Sequence, residues 1–277
     1  MNQLYQSVGI SKQAVAQYSN RQDLFVEKVE QLVLEVDELR KDHPGCGVEK
    51  MYKTLQPDFI GRDRFSDLFM DLGYRVKRMK NYQRTTFSSK FYYSNLINGI
   101  SLNGPSQLWQ SDITYIQVKD RFCYAVFIID VYTRKIVGYH VSDNMRAEAN
   151  VKALKMALAS HATPRIHHSD RGSQYTYKPY VDLLKQKGSK ISMGLCAQDN
   201  AYAERINGTI KNEYLKYWNL SSLHDLKRKV TKAVNNYNGK RRHQALEYQT
   251  PNSYEGEIMN GKIIRKEQII FDNDLIV

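Results

Sequence analysis

Three strands in close succession set the terms on which this chain can fold. They run from Leu108 to Val118, Phe122 to Tyr132 and Lys135 to Val141, separated only by tight turns at Lys119-Asp120-Arg121 and Thr133-Arg134. The middle one is an unbroken run rich in Val, Ile and Phe, the pattern of a strand covered on both faces. Beyond Val141, helices and strands alternate. An amphipathic helix is expected from about Arg146 to Ser160, with Ala147, Val151, Leu154 and Leu158 on one face. A short strand from Pro164 to His168, a helix from Lys178 to Lys187, a strand from Lys190 to Met193 and a long helix from Asn200 to Tyr217 complete the series. That order predicts an α/β domain with a mixed five-stranded sheet.

Upstream, the periodicity is helical. Ser11, after Gly9-Ile10, is placed to cap a short helix from Lys12 to Tyr18, in the manner of the second helix of a helix-turn-helix. A longer helix comes next, with Leu24, Phe25, Val29, Leu32, Val36 and Leu39 at helical spacing. Beyond His43-Pro44-Gly45, one helix is marked by Val48, Met51, Tyr52 and Leu55. The next is marked by Phe65, Leu68, Phe69 and Leu72 and closed by Gly73. These segments read either as two packed helical hairpins or as DNA-recognition helices leading into a basic arm. The expected divisions are a helix-turn-helix-like segment over 1–42, a second helical region with the basic arm over 43–97, and a linker over 98–107 that carries Gly99, Gly104 and Pro105. The α/β core then spans 108–220 and a basic C-terminal region 221–277.

Charge narrows the partners. Lys and Arg number 41 against 29 acids, a formal charge of +12, which favours a polyanion such as DNA or RNA. Six of the cations fall between Arg75 and Lys90 and seven between Lys227 and Arg242, with no acid in either stretch. Tyr82, Phe87, Phe91, Tyr92, Tyr93 and Tyr237 lie in or beside them, and aromatics among cations suit a nucleic-acid surface better than a solvated tail. Candidate DNA contacts are Arg75, Lys77, Arg78, Lys80 and Arg84 in the first stretch and Lys240, Arg241 and Arg242 in the second. The three cysteines, Cys46, Cys123 and Cys196, form no CxxC pair, which argues against a disulfide framework and a zinc knuckle. No signal peptide is evident in 1–10, and the strongest apolar run, Ala125 to Ile129, is too short to span a membrane. A cytoplasmic setting is expected.

Three acids stand out in this frame. Asp112 lies on the first of the three strands, and Asp170 lies just past the strand that ends at His168. Glu204 lies one turn into the last helix, with Asp199 or Asn200 as its N-cap. On that helix Ala203, Ile206, Ile210 and Tyr214 form the core face, while Glu204, Asn207 and Lys211 form a neighbouring polar face. Carboxylates brought together repel, and bound cations remove that conflict. Hard cations such as Mg²⁺ take carboxylate oxygen and substrate phosphate. A general base supplies ~10²–10⁴-fold, far less than phosphodiester chemistry demands. Two Mg²⁺ ions per site, with Mn²⁺ as a substitute, match the need better. Singly, each acid reads as blandly as a strand-edge, turn or solvated helix residue does. Asp130 reads as the residue that orients the Thr133-Arg134 turn, Trp109 as core, and His167 and His168 as strand neighbours pointing to opposite faces.

The local contexts of these acids resemble a known family. Trp109-x-x-Asp112-Ile113-Thr114-Tyr115, Arg134-x-Ile136-Val137-Gly138 and His168-Ser169-Asp170-Arg171-Gly172-Ser173-Gln174-Tyr175 are similar to motifs of OrfB transposases of bacterial insertion sequences, in the group numbered three. That group is related to retroviral integrases. Asp199-Asn200-Ala201, Glu204, Lys211-Asn212-Glu213, Tyr237-Asn238-x-x-Arg241-Arg242-His243-x-Ala245-Leu246 and Thr250-Pro251 continue the likeness over essentially the whole chain.

The resemblance implies a ribonuclease H-like catalytic core with an acidic triad at Asp112, Asp170 and Glu204, and Lys211 as the basic residue seven positions later. On the same polar face, Asn207 reads either as a contact to the DNA end or as a side chain that bonds within its own helix. Also implied are element ends and target DNA as double-stranded partners, an OrfA protein or fusion, and a dimer or higher oligomer working at the bacterial nucleoid. The stretch between Asp170 and Glu204 is two residues shorter than is usual, with the shortfall in Ser192 to Gln198. Two other readings stay open: a catalytically silent DNA-binding regulator, and a ribonuclease H-like nuclease acting on RNA–DNA hybrids.

Overall fold

In a computed structural model of the chain, residues 11–76, 92–194, 197–261 and 267–270 are described. They belong to two compact units, over 1–77 and 78–277.

The first unit is helical. Helix α1, Lys12–Asp42, starts where the Ser11 side chain accepts the Ala14 N–H, as a capping residue should. The break expected after Tyr18 is absent, and the short and long helices are one 31-residue helix. Ser19 to Asp23 contain neither Gly nor Pro, so nothing interrupts the hydrogen-bond ladder. The expected end of the first helix at Tyr18 is therefore corrected, while the preceding helix and turn that a helix-turn-helix would need fall on residues 1–10, outside the described residues. Helix α2, Val48–Leu55, and helix α3, Arg62–Phe69, pack on the C-terminal half of α1 through Leu32, Val36, Met51, Phe65 and Phe69, all buried. A π turn, Met70–Tyr74, ends α3, with Gly73 at φ 89°, a conformation that costs glycine nothing. Arg40 fastens that end by donating to the carbonyls of Tyr74 (2.6 Å) and Pro44 (2.8 Å).

The second unit is built on a sheet. Strand β1, Ile100–Leu102, comes first; then β2, Leu108–Val118, β3, Arg121–Asp130, and β4, Ile136–Ser142. Helix α4, Ala147–Ser160, leads to β5, Ile166–Ser169; helix α5, Lys178–Gln186, leads to β6, Lys190–Met193. Helix α6, Ala201–Thr209, runs on through a π turn, Ile210–Tyr214, and a 3₁₀ turn, Leu215–Tyr217. Helix α7, Leu223–Gly239, helix α8, Pro251–Met259, and strand β7, Gln268–Ile270, close the described chain. The main sheet has the order β4-β3-β2-β5-β6: β2, β3 and β4 are antiparallel neighbours, and β5 and β6 join parallel. This is the ribonuclease H-like topology that the order of elements predicts.

Each face of the sheet has its own core. Ile116, Phe127 and Val141 pack against Ile206, Ile210 and Tyr214 of α6 and its π turn and against Val230 and Ala233 of α7. Trp109, Val126 and Ile128 pack against Ala153, Leu154 and Ala157 of α4 and Tyr180 and Leu184 of α5. The buried stripe of α4 is centred on Ala149, Asn150, Ala153, Leu154 and Ala157, rotated from the expected one, which leaves Val151 and Leu158 at its margin. Gly138 explains the rotation. A Cβ there would lie 2.4 Å from the Ala153 carbonyl oxygen, so α4 turns its small residues toward β4 and comes down close. Within the stretch read as a linker, β1 pairs antiparallel with β7 from the far end of the chain. Leu226, Val230 and Ala233 of α7 are fully buried against the sheet, so the fold has no seam at residue 220.

Candidate active site

Asp112 sits in the centre of the sheet because β2 is flanked by β3 on one side and β5 on the other, with Asp112 opposite Phe127. Strand β5 ends at Ser169, one residue before Asp170, so the chain leaves the sheet beside β2. The Asp170 carboxylate accepts the Gly172 N–H at 3.0 Å, which tightens the turn it opens. Helix α6 crosses the same face of β2 and β3 and carries Glu204 in its first turn.

A polar clasp that the sequence did not announce fixes this crossing. Gln110, fully buried, donates to the Asp199 carbonyl (3.0 Å) and accepts the Tyr202 N–H (3.1 Å). Asn200 holds the N-cap place, but its amide donates to the Ser111 carbonyl at 2.9 Å rather than to the helix. Ser111 also meets the Tyr175 hydroxyl at 3.1 Å. Hydrogen bonds satisfy buried polar groups and orient what they join. The signal in the sequence is Gln110-Ser111, two polar residues inside an otherwise buried strand, immediately before the acid.

Both oxygens of Asp112 are held. Oδ1 accepts the Ile113 N–H at 2.9 Å and Oδ2 accepts Asn207 Nδ2 at 2.8 Å. Burial, then the charge of Asp170 and that of Glu204, push the Asp112 carboxyl up to about 8, against the lowering effect of those two hydrogen bonds. Burial and Asp170 also raise Glu204. The three acids thus bear on one another electrostatically, as like charges in one site do. Among the described residues, no three His, Cys, Asp or Glu side chains are drawn into a ready metal cluster. Lys211 lies one residue into the π turn, with Nζ 4.5 Å from the centre of the Tyr115 ring. Burial lowers its pKa while Asp112 opposes that change.

Comparisons with known proteins identify the family. Two models described as "Integrase core domain" match residues 103–196 and 190–251. The chain is 37% identical over 196 residues to the insertion element IS600 uncharacterized 31 kDa protein of Shigella sonnei, covering 68% of this chain and 72% of that one. It is 33% identical over 184 residues to the transposase for insertion sequence element IS904 of Lactococcus lactis subsp. lactis (strain IL1403), covering 64% and 72%. It is also 29% identical over 226 residues to transposase InsF for insertion sequence IS3A of Escherichia coli (strain K12), covering 80% and 75%. The chain belongs to the insertion-sequence transposases of group three.

Several candidate DNA contacts of this transposase have other work. Asn207 is buried and holds Asp112, so it supports the acid from inside instead of reaching outward. Arg241 is withdrawn from solvent in a bidentate pair with Glu213 (2.7 Å and 2.7 Å), which ties the π turn after α6 to the segment beyond α7. Arg242 donates to the Tyr248 carbonyl at 3.1 Å. Their places at the end of α7 decide this: a guanidinium facing the core finds a carboxylate or carbonyl there. Lys240 and Arg75 are exposed. Lys77, Arg78, Lys80 and Arg84 lie outside the described residues.

The modest readings also find their partners. Asp130 accepts from the backbone N–H and hydroxyl of Thr133 (2.8 and 3.0 Å) and from the Ser106 N–H (2.6 Å), organising the turn. Trp109 is fully buried. His167 meets the Tyr180 hydroxyl at 2.9 Å, and His168 meets the Ser192 hydroxyl at 2.8 Å. No helix among the described residues is long and apolar enough to cross a membrane.

Proposed function

We propose that this transposase cuts the DNA 3′ end of its element and joins that end to another strand by in-line phosphoryl transfer, with two Mg²⁺ ions, replaceable by Mn²⁺, held by Asp112, Asp170 and Glu204. The observation that carries the reading is the electrostatic load on Asp112. Asp112 on β2 is pushed up to about 8 by burial, by the charge of Asp170 after β5 and by that of Glu204 on α6, which supports a reading in which the three act together. An all-oxygen, multiply acidic donor set fits hard divalent cations, whose charge would offset that load. When bound, such ions lower the pKa of an attacking water or hydroxyl and balance charge on the leaving oxygen.

The chain's own residues do the positioning. Asn207 and the Ile113 N–H fix the plane of the Asp112 carboxylate. The Gln110–Asn200 clasp sets the height of α6, and with it Glu204, over the sheet. Lys211, steadied on Tyr115, offers a cation to a phosphate beside the acids. Duplex DNA, a dimer or larger assembly on paired element ends, an OrfA protein or fusion, and work at the bacterial nucleoid complete the reading.

The test is to express the chain, with any upstream frame fused, beside its own flanking DNA. Covalent end-to-end junctions are then sought with outward-facing primers. Junctions in wild type that vanish in Glu204→Gln, with DNA binding retained, are expected. Junctions that survive Glu204→Gln would remove Glu204 from the chemistry.

A further inference from the structure

A second feature of the catalytic unit lies at the free edge of its sheet. There β4, the first turn of α4 and the first turns of α7 enclose a cleft of about 360 Å³. His140, Arg146, Lys152 and Lys227 line it from three separate elements, with Asp143 and Glu148 as its acids. Its cations are unlike others nearby. On α7, Arg228 and Lys229 pair with Asp225 at 2.9 and 2.8 Å, and on the same unit Lys135 pairs with Glu255 at 2.5 Å. Arg146, Lys152 and Lys227 have no ion-pair partner among the described residues. Of the two acids, Asp143 accepts the Asn144 amide at 2.8 Å. The cleft therefore gathers three side-chain cations that its own carboxylates do not engage. Burial, Lys152 and Lys227, in that order, hold His140 below its ordinary range, which marks the local field as positive. The first turn of α4 adds to that field. Its N-cap, Arg146, makes no side-chain cap bond, although Asn144 Oδ1 accepts the Arg146 N–H at 3.1 Å and Glu148 sits in the first turn.

We propose that this cleft is a binding site for the phosphate backbone of duplex DNA, separate from the acidic triad and engaging the same duplex. The proposal takes the identity of the polyanion from the function proposed above. The position is suitable. Asp112 stands opposite Phe127, and Phe127 opposite Tyr139 on one face of the sheet, while His140, opposite Val126, turns to the other face at the sheet's edge. Two interstrand steps of ~4.8 Å put the edge strand ~10 Å from the acid, a span of about three nucleotides along one strand at ~3.4 Å each. Contacts to phosphate set register and orientation on DNA without reading sequence. The cleft thus acts as a lateral grip that holds the duplex across the triad.

The experiment is equilibrium binding of the full chain to a duplex oligonucleotide of unrelated sequence, followed by fluorescence anisotropy over a range of salt. Each lost phosphate contact lowers the slope of log affinity against log salt by about 0.9. The Lys152→Gln, Lys227→Gln pair is expected to lower it by about 1.8, and the Lys152→Arg, Lys227→Arg pair to keep the wild-type slope. As a control for charge alone, Lys185→Gln with Lys187→Gln on and just after α5 removes as many cations and is expected to leave the slope unchanged. An unchanged slope in the cleft variant, with its circular dichroism intact, overturns the proposal, and so does an equal fall in the control. Absence of salt-dependent DNA binding in wild type would instead overturn the function proposed above, and this grip with it.

Discussion

Asn207 shows how much one side chain can carry in this site. Sequence spacing puts it on the polar face of α6 beside Glu204, and from spacing alone it reads as an outward contact or as a side chain bonded within its own helix. In the fold it is buried, 2.8 Å from Asp112 Oδ2. An amide donor on a carboxylate oxygen favours the charged form and sets its direction, which is what a ligand to a cation requires. Removing groups that orient metal ligands costs 10–100-fold in affinity or activity. Asn207→Ala is therefore expected to lower strand transfer by about 10–100-fold and to raise the Mg²⁺ concentration needed for half-maximal rate. A titration of activity against Mg²⁺ checks this. Loss of rate with an unchanged Mg²⁺ requirement would show that Asn207 does not act through Asp112.

Among the elements, the contact between β4 and α4 is the tightest that the sequence leaves unsaid. Gly138 has ordinary backbone angles; its value is the missing Cβ, whose place is taken by the Ala153 carbonyl oxygen at 2.4 Å and the Ala157 Cβ at 2.8 Å. Backbone cannot step aside as a flexible side chain can. Gly138→Ala should push α4 off the sheet and cost about 1–3 kcal/mol, in the range of overpacked cores. Urea unfolding followed by circular dichroism measures it, and a midpoint equal to wild type would mean that α4 has room to move. The same pair of elements shows where pattern reading falters. Leu154 was legible as core, but Val151 and Leu158 were overvalued because apolar size counts in a periodicity plot. The packing surface here was chosen by Ala149, Ala153 and Ala157, whose smallness admits the close approach.

For the molecule as a whole, histidine ties stability to pH. His167 is fully buried against Tyr180, and burial, with His168 adding to it, drops its pKa to about 3; His140 and His161 are also lowered, chiefly by burial. A folded-state pKa below the unfolded value of ~6.5 means that the unfolded chain binds the proton more readily. The stability His167 contributes is complete above pH ~6.5 and drains away as pH falls toward 3, and His140 and His161 act in the same direction. For His167 the slope between those pH values approaches about 1.4 kcal/mol per pH unit. His167→Gln is expected to flatten the dependence of unfolding free energy on pH between 6.5 and 4, whatever it does to stability at pH 7. Urea titrations at several pH values test this, and a slope as steep as wild type would exclude His167 as a principal source.

The catalytic-core elements were readable from the chain because each is a local matter of period and punctuation. Three close strands, a helix at 3.6-residue spacing and acids beside strand ends need no partner to be recognised. Asp112, Asp170 and Glu204 stand out in three separate motifs, and the fold brings them close enough for Asp170 and Glu204 to raise the Asp112 carboxyl. What the sequence misjudged depends on groups far apart along the chain. The break after Tyr18 did not form because no residue there stops a helix whose C-terminal half is packed on α2 and α3. β1 became a strand only because β7 arrives from some 170 residues away to pair with it. Arg241 looked like a DNA contact until the fold set Glu213 against it, and Asn207 until it set Asp112 there. Periodicity reports which face of an element is apolar, whereas the partner of a charged or amide group is settled by whichever complementary group the packed chain brings within hydrogen-bonding distance.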